Sequence, residues 1–194
     1  MNSRRFVFSA ALALSASFAS IPALAAPSGP LTPDAAPIAT IHAPLVRASA
    51  QVEAPITIAF VNPHSPQPAA DQAQALANDV NTERVKRGLQ PLTRDAALDR
   101  FAYAKAMEMA SRGYFGHTDP DGITFQDRMR AWHWPTQYAA ENIAFDRDEP
   151  HAHSAFMNSP GHASNILDAN ERRIGVAVVT VGDHETFYVQ TFSQ

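Results

Sequence analysis

Eight histidines and no cysteine stand in this 194-residue chain, so imidazole and carboxylate are the groups on which metal or acid–base chemistry would have to rest. Spacing sorts them. His117 lies in "GYFGHTDPDG" (113–122), where glycine, proline and aspartate impose a structured turn directly after a helical stretch. Glu141 and Asn142 lie in "AENIA" (140–144) between small and apolar neighbours, where a carboxylate without a partner is costly to bury. His162 and Asn165 lie in "NSPGHASNIL" (158–167), in which Pro160 and Gly161 break regular structure and the hydrophobic end docks on a core. Each stretch reads as an irregular junction, and three such junctions can converge on one cleft. Two imidazoles and a carboxylate suit zinc, held at ~2.0–2.1 Å with a position open to water. No HExxH spacing fixes that reading, and a hydrogen-bonded structural cluster explains the spacing as well.

The other histidines read as bystanders. His42 and His64 fall in a proline-rich stretch and His184 in a turn, all expected in solvent. His133 stands between Trp132 and Trp134 and is expected in packing. His151 and His153 form "HAH" near a helix start. On a strand they would share a face, but on a helix they diverge by about 200°. They are expected to be exposed, with a surface metal site as the lesser reading. There is no G-x-S-x-G elbow and no glycine-rich phosphate loop, and Ser159 near His162 lacks an orienting acid.

The elements that must position these residues follow from periodicity. In "DQAQALANDVNTERVKRG" (71–88), Ala73, Leu76, Ala77 and Val80 recur at helical spacing and Gly88 supplies the stop. A second helix carries Leu98, Phe101, Ala102, Lys105 and Met109 along one side and ends at Gly113. "TFQDRMRAW" predicts a third, with Phe125, Met129 and Trp132 on one face and Pro135 closing it. A fourth starts near Pro150 and runs through Met157. "RIGVAVVT" and "TFYVQTF", joined by "VGDHE", predict a C-terminal hairpin. Helices first and strands last make an α+β sandwich the expected architecture.

The ends narrow the setting. "MNSRRFVFSAALALSASFASIPALAA" has a basic start, an apolar run and an A-x-A pattern, expected to be cut after Ala25 as a signal peptide. "SRRFVF" resembles a twin-arginine signal, and an ordinary secretory signal fits equally. Residues 26–70 hold nine of the fifteen prolines and read as a Pro/Ala-rich linker. Within it "ITIAFV" (56–61) reads as extended linker, with a strand on the domain edge as the alternative. Residues 71–194 then form one domain, of a size to carry its own core without disulfides. That domain holds twelve Lys and Arg against seventeen Asp and Glu, which argues against nucleic acid and anionic membrane as partners. Removal of the signal peptide would leave no transmembrane anchor, and the mature protein is expected in a periplasm or outside the cell.

The ordered series "VNTERVKRGLQPL", "LDRFAYAKAMEMA", "FGHTDPDG", "AENIA", "SPGHASNIL", "IGVAVV", "FYVQTF" resembles the CAP superfamily. That superfamily comprises the cysteine-rich secretory, antigen 5 and plant pathogenesis-related proteins, and the chain looks like its compact bacterial branch of SCP-domain proteins. The family's G-H-x-x-N signature appears as Gly161 to Asn165, and its G-E-N signature as Ala140-Glu141-Asn142, with alanine for the leading glycine. The resemblance implies a three-layer α-β-α sandwich with a central cleft. It implies His117 and His162 as the paired histidines that hold a divalent cation such as zinc, and Glu141 as the first family glutamate. The second glutamate has no clear counterpart, since Asn158 and Ser159 occupy its neighbourhood.

Two functions are expected from this. The first is an exported binding or interaction protein whose cleft, lined by His117, Glu141, Asn142, His162 and Asn165, takes a cation and a lipid, sterol or other cell-envelope ligand. The second is a metal-dependent hydrolase acting on peptide or cell wall, with Glu141 as the catalytic base on metal-bound water. Fold resemblance does not choose between them.

Overall fold

A computed structural model describes residues 54–58, 65–134 and 138–194; the expected signal peptide and most of the expected linker lie outside them. In chain order the elements are β1 (Ile56–Thr57), β2 (Gln67–Pro68), α1 (Ala70–Lys86), β3 (Thr93–Arg94), α2 (Ala96–Arg112), β4 (Tyr114–Phe115) and α3 (Phe125–Ala131). They continue with β5 (Ala139–Asp146), α4 (Glu149–Asn158), α5 (Pro160–Ile166), β6 (Arg173–Gly182) and β7 (Glu185–Ser193).

The helices start and stop where local chemistry dictates. Asp95 caps α2 by accepting from the amides of Ala97 and Leu98, and Gly113 ends that helix in the left-handed conformation (φ 65°). Thr124 and Asp127 form a reciprocal capping box at the start of α3. Asp148 caps α4 through the amide of His151.

β6 and β7 form the predicted hairpin at the centre of a five-stranded sheet of order β2-β6-β7-β5, with β3 pairing in parallel to β6. β5 runs antiparallel to β7 along its whole length, Ala139 opposite Ser193 and Asp146 opposite Thr186, and forms one end of the sheet.

Strand alternation divides the core in two. Ile174, Val176 and Val178 of β6 face α1, α4 and α5, packing with Leu76, Val80, Phe156 and Ile166. Ala177, Val179 and Val181 face the other way, onto Ala102, Ala106 and Met109 of α2. Helices thus cover both faces of one sheet, which is the expected α-β-α sandwich. Its middle layer depends on Gly175, where a Cβ would stand 2.1 Å from the backbone carbon of Leu98.

Four expectations change. Pro160 does not break structure at the start of "PGHASNI": it occupies the first turn of α5, where its missing amide proton has no partner to lose. "AENIA" is no junction but the middle of β5. Part of the linker stretch joins the fold, since Ile56–Thr57 pairs with β4 and Gln67–Pro68 with β6. His133 is exposed rather than packed, with φ 52° at the end of α3; Pro135, expected to close that helix, lies outside the described residues.

Candidate functional site

Because consecutive strand residues point to opposite faces, Glu141 and Asn142 serve opposite layers of the sandwich. Glu141 shares its side with Ile143 and faces the α2 layer, whereas Asn142 shares its side with Ala140 and Ala144 and faces the α4–α5 layer. Each supports one of the two histidines, Glu141 the ring of His117 and Asn142 the backbone of His162.

On the first side, Glu141 has a side chain only 1 % exposed and receives His117 Nδ1 on Oε1 at 3.0 Å. Arg128, set one residue past the capping box of α3, donates through Nη2 to both Glu141 oxygens at 3.1 Å and through Nη1 to the His117 carbonyl at 2.9 Å. Burial by itself would raise the pKa of Glu141. The hydrogen bond from His117, followed by the charges of Arg128, His117 and Lys105, outweighs it and holds the carboxyl below its ordinary value. Glu141 is therefore a carboxylate, and an ionised carboxylate only accepts, so His117 carries its proton on Nδ1 and presents Nε2 outward. Lys105 is buried and donates to the Tyr114 hydroxyl at 2.9 Å; burial first, then Arg128, lowers its pKa to about 8.

On the second side, the fully buried Asn142 donates to the Gln190 side chain at 3.0 Å and to the His162 carbonyl at 3.2 Å, and accepts from Asn165 at 2.8 Å. The backbone of His162 is thus tied to β5 while its ring stands edge-on to Phe156, centroids 5.3 Å apart. Burial, and secondarily the charge of His117, pushes its pKa down to about 4, so the imidazole is neutral at pH 7. Among the described residues, no hydrogen bond engages a His162 ring nitrogen.

The donor set fits a divalent cation in one respect and departs from expectation in another. Two imidazoles are available, the residue type that zinc accepts. Glu141, however, stands behind His117, and does not close a triad of ligand atoms within 4.8 Å with the two histidines. Asn158, which with Ser159 occupies the neighbourhood expected for the second family glutamate, donates to the Ser154 hydroxyl at 3.3 Å. Sequence reasoning missed Arg128 and Lys105. Lys105 carried a signal, because a lone cation on the apolar stripe of a helix calls for a buried acid opposite; Arg128 carried none, since its role depends on where α3 docks.

With this geometry in hand, comparisons place the chain. Residues 77–192 match the sequence model of CAP, the cysteine-rich secretory protein family. The Bacillus subtilis protein YkwD is 35% identical over 67% of this chain and 52% of its own length, and the B. subtilis membrane protein YlbC is 32% identical over 58% and 31%. The chain thus spans about half of one curated relative and less than a third of the other. Among solved structures, an extracellular SCP-domain protein of Bacillus anthracis is 29% identical, with a TM-score of 0.57, over 64% of this chain and 41% of that one. An outer surface protein of Borrelia burgdorferi has a TM-score of 0.61 over 67% of this chain and 96% of its own, at 21% identity, a likeness of fold.

Proposed function

The chain belongs to the CAP family, and from that premise we propose that it is an exported binding domain, holding a divalent cation, zinc foremost, between His117 and His162 and taking a small apolar or cell-envelope ligand beside it. The observation that carries this reading is the Glu141–His117 hydrogen bond. A carboxylate on one imidazole nitrogen is the arrangement that fixes the tautomer of a metal-binding histidine and raises its basicity. His117 and His162 would hold the ion, Glu141 and Arg128 would orient the first ring, and Asn142 would set the position of the second. A bound cation would supply Lewis acidity toward an oxygen-bearing ligand. Ile123, Trp132 and Tyr138, three large apolar side chains exposed to solvent, lie in the segment that carries Arg128, which favours an apolar ligand. Export is supported by the signal-like N-terminus and by the likeness to an extracellular SCP-domain protein.

The hydrolytic alternative gains no support here. Both oxygens of Glu141 are engaged by Arg128, and a carboxylate held below its ordinary pKa is a weak base.

Metal analysis of the purified protein tests the reading, with His117→Ala and His162→Ala as controls. Each variant is expected to lose one equivalent of bound zinc relative to the wild type; unchanged metal content in both would refute it. Extraction of the protein with organic solvent, followed by mass spectrometry, identifies a co-purifying lipid directly.

A further inference from the structure

On the face of the sandwich away from α2, helices α1 and α4 bring together three groups that the site above does not use. Asp79 of α1, and Glu149 and His153 of α4, each offer a ligand atom, and these atoms all lie within 4.8 Å of one another. Glu149 and His153 are four residues apart, which stacks them on one side of α4. His153 was expected in solvent; it is half-buried, while His151 turns away to Asp148.

The cluster is incomplete as it stands. Glu149 is only 8 % exposed, and its Oε1 is buried with no hydrogen-bond partner. The Nδ1 of His153 is likewise buried and unpartnered. Unsatisfied buried polar atoms are costly, and two of them on residues of one three-group cluster ask for a partner. Asp79 reaches Glu149 as a hydrogen-bond partner only when a proton lies between the two carboxyls. Glu83, one turn beyond Asp79, is engaged by Lys86 and Arg87, and its charge and that of Lys86 act on His153 in opposite senses. Among the described residues, no lysine or arginine forms an ion pair with Asp79 or Glu149. Asp79 crowds Glu149 instead: burial first, and then Asp79, raises the Glu149 pKa to about 7.

We propose that Asp79, Glu149 and His153 form a second cation site, taking a divalent transition-metal ion of the zinc type and fastening α1 to α4. Two carboxylates and one imidazole are the donors such an ion accepts, with water in the fourth position. Modest side-chain rotation brings the ligand atoms to the ~3.3 Å spacing of a tetrahedron built on bonds of ~2.0 Å. The ion satisfies both orphaned atoms and neutralises the carboxylate pair. Because its ligands come from two helices, it stabilises the folded state over the unfolded one.

The test uses the full chain, stripped with chelator and dialysed against zinc, with bound metal and melting temperature measured on the same samples. The background is the His117→Ala/His162→Ala variant, so the outcome is independent of the cleft. Zinc is expected to bind there at one equivalent, raise the melting temperature and shift the His153 ring signals in an NMR spectrum. Glu149→Gln, which keeps size and shape, should abolish all three effects when added to that background, and His153→Gln should abolish the binding and the rise in melting temperature. If the cleft reading fails and this one holds, wild type and background bind the same single equivalent. If the background binds no zinc, or binds it unchanged after Glu149→Gln, the proposal is overturned and the carboxylate pair is held by a shared proton alone.

Discussion

Arg128→Met removes the charge that faces Glu141 and keeps most of the aliphatic stem. The wild-type pair is buried, Glu141 at 1 % and Arg128 at 13 % side-chain exposure. Removing one partner of a buried pair costs ~3–5 kcal/mol, because the other charge is left without compensation. Lys105 and His117 still face the carboxylate, so the lower end, ~3 kcal/mol, is expected. For a domain of this size that corresponds to a fall of roughly 10 °C in Tm. Urea unfolding followed by far-UV circular dichroism measures it. The double variant Arg128→Met/Glu141→Gln should recover much of the loss, since no buried charge then remains. The pH dependence has a definite sign. Glu141 is held below its ordinary value of 4.5, so its contribution is present above that pH and is lost as pH falls through the lower, folded-state pKa. The gap between wild type and Arg128→Met should therefore close in acid. A cost under ~1 kcal/mol, or strict additivity in the double variant, would refute the account of Glu141 as a carboxylate that depends on Arg128.

Other consequences follow from the same structure. The folded-state pKa of His162 lies near 4, below its ordinary 6.5, so chelator-treated protein should be most stable above pH 6.5 and lose on the order of 3 kcal/mol as pH falls toward 4; His162→Phe should flatten that window in urea titrations at stepped pH. Asn142→Ala frees the His162 carbonyl and Asn165, and zinc affinity measured by competition with a chromophoric chelator should drop ~10–100-fold. Gly175→Ala forces a Cβ against the backbone of Leu98, and a destabilisation of at least ~1–3 kcal/mol is expected in denaturant unfolding.

Spacing within the chain was enough to locate the helices α1 to α4 and the hairpin, because each writes its buried face as a local period: Leu76 and Val80 on α1, Val176 and Val178 on β6. β5 and α5 escaped that reading. β5 buries both faces through small residues with two polar ones among them, which leaves no alternation to see. α5 is a single short helix opened by a proline and a glycine that look like a turn. Residue types singled out His117, Glu141 and His162, and the family resemblance gave them a common purpose.

The sequence by itself determined the inventory of the site: imidazoles and carboxylates without thiols, in a chain that carries a signal-like start and belongs to one family. Only the tertiary structure decided the division of labour. Adjacent residues of a strand point to opposite sides, so Glu141 and Asn142 hold different histidines, and the docking of α3 and the approach of α1 to α4 set Arg128 on Glu141 and Asp79 beside Glu149 and His153. Such contacts join residues far apart in the chain, and no local period encodes them.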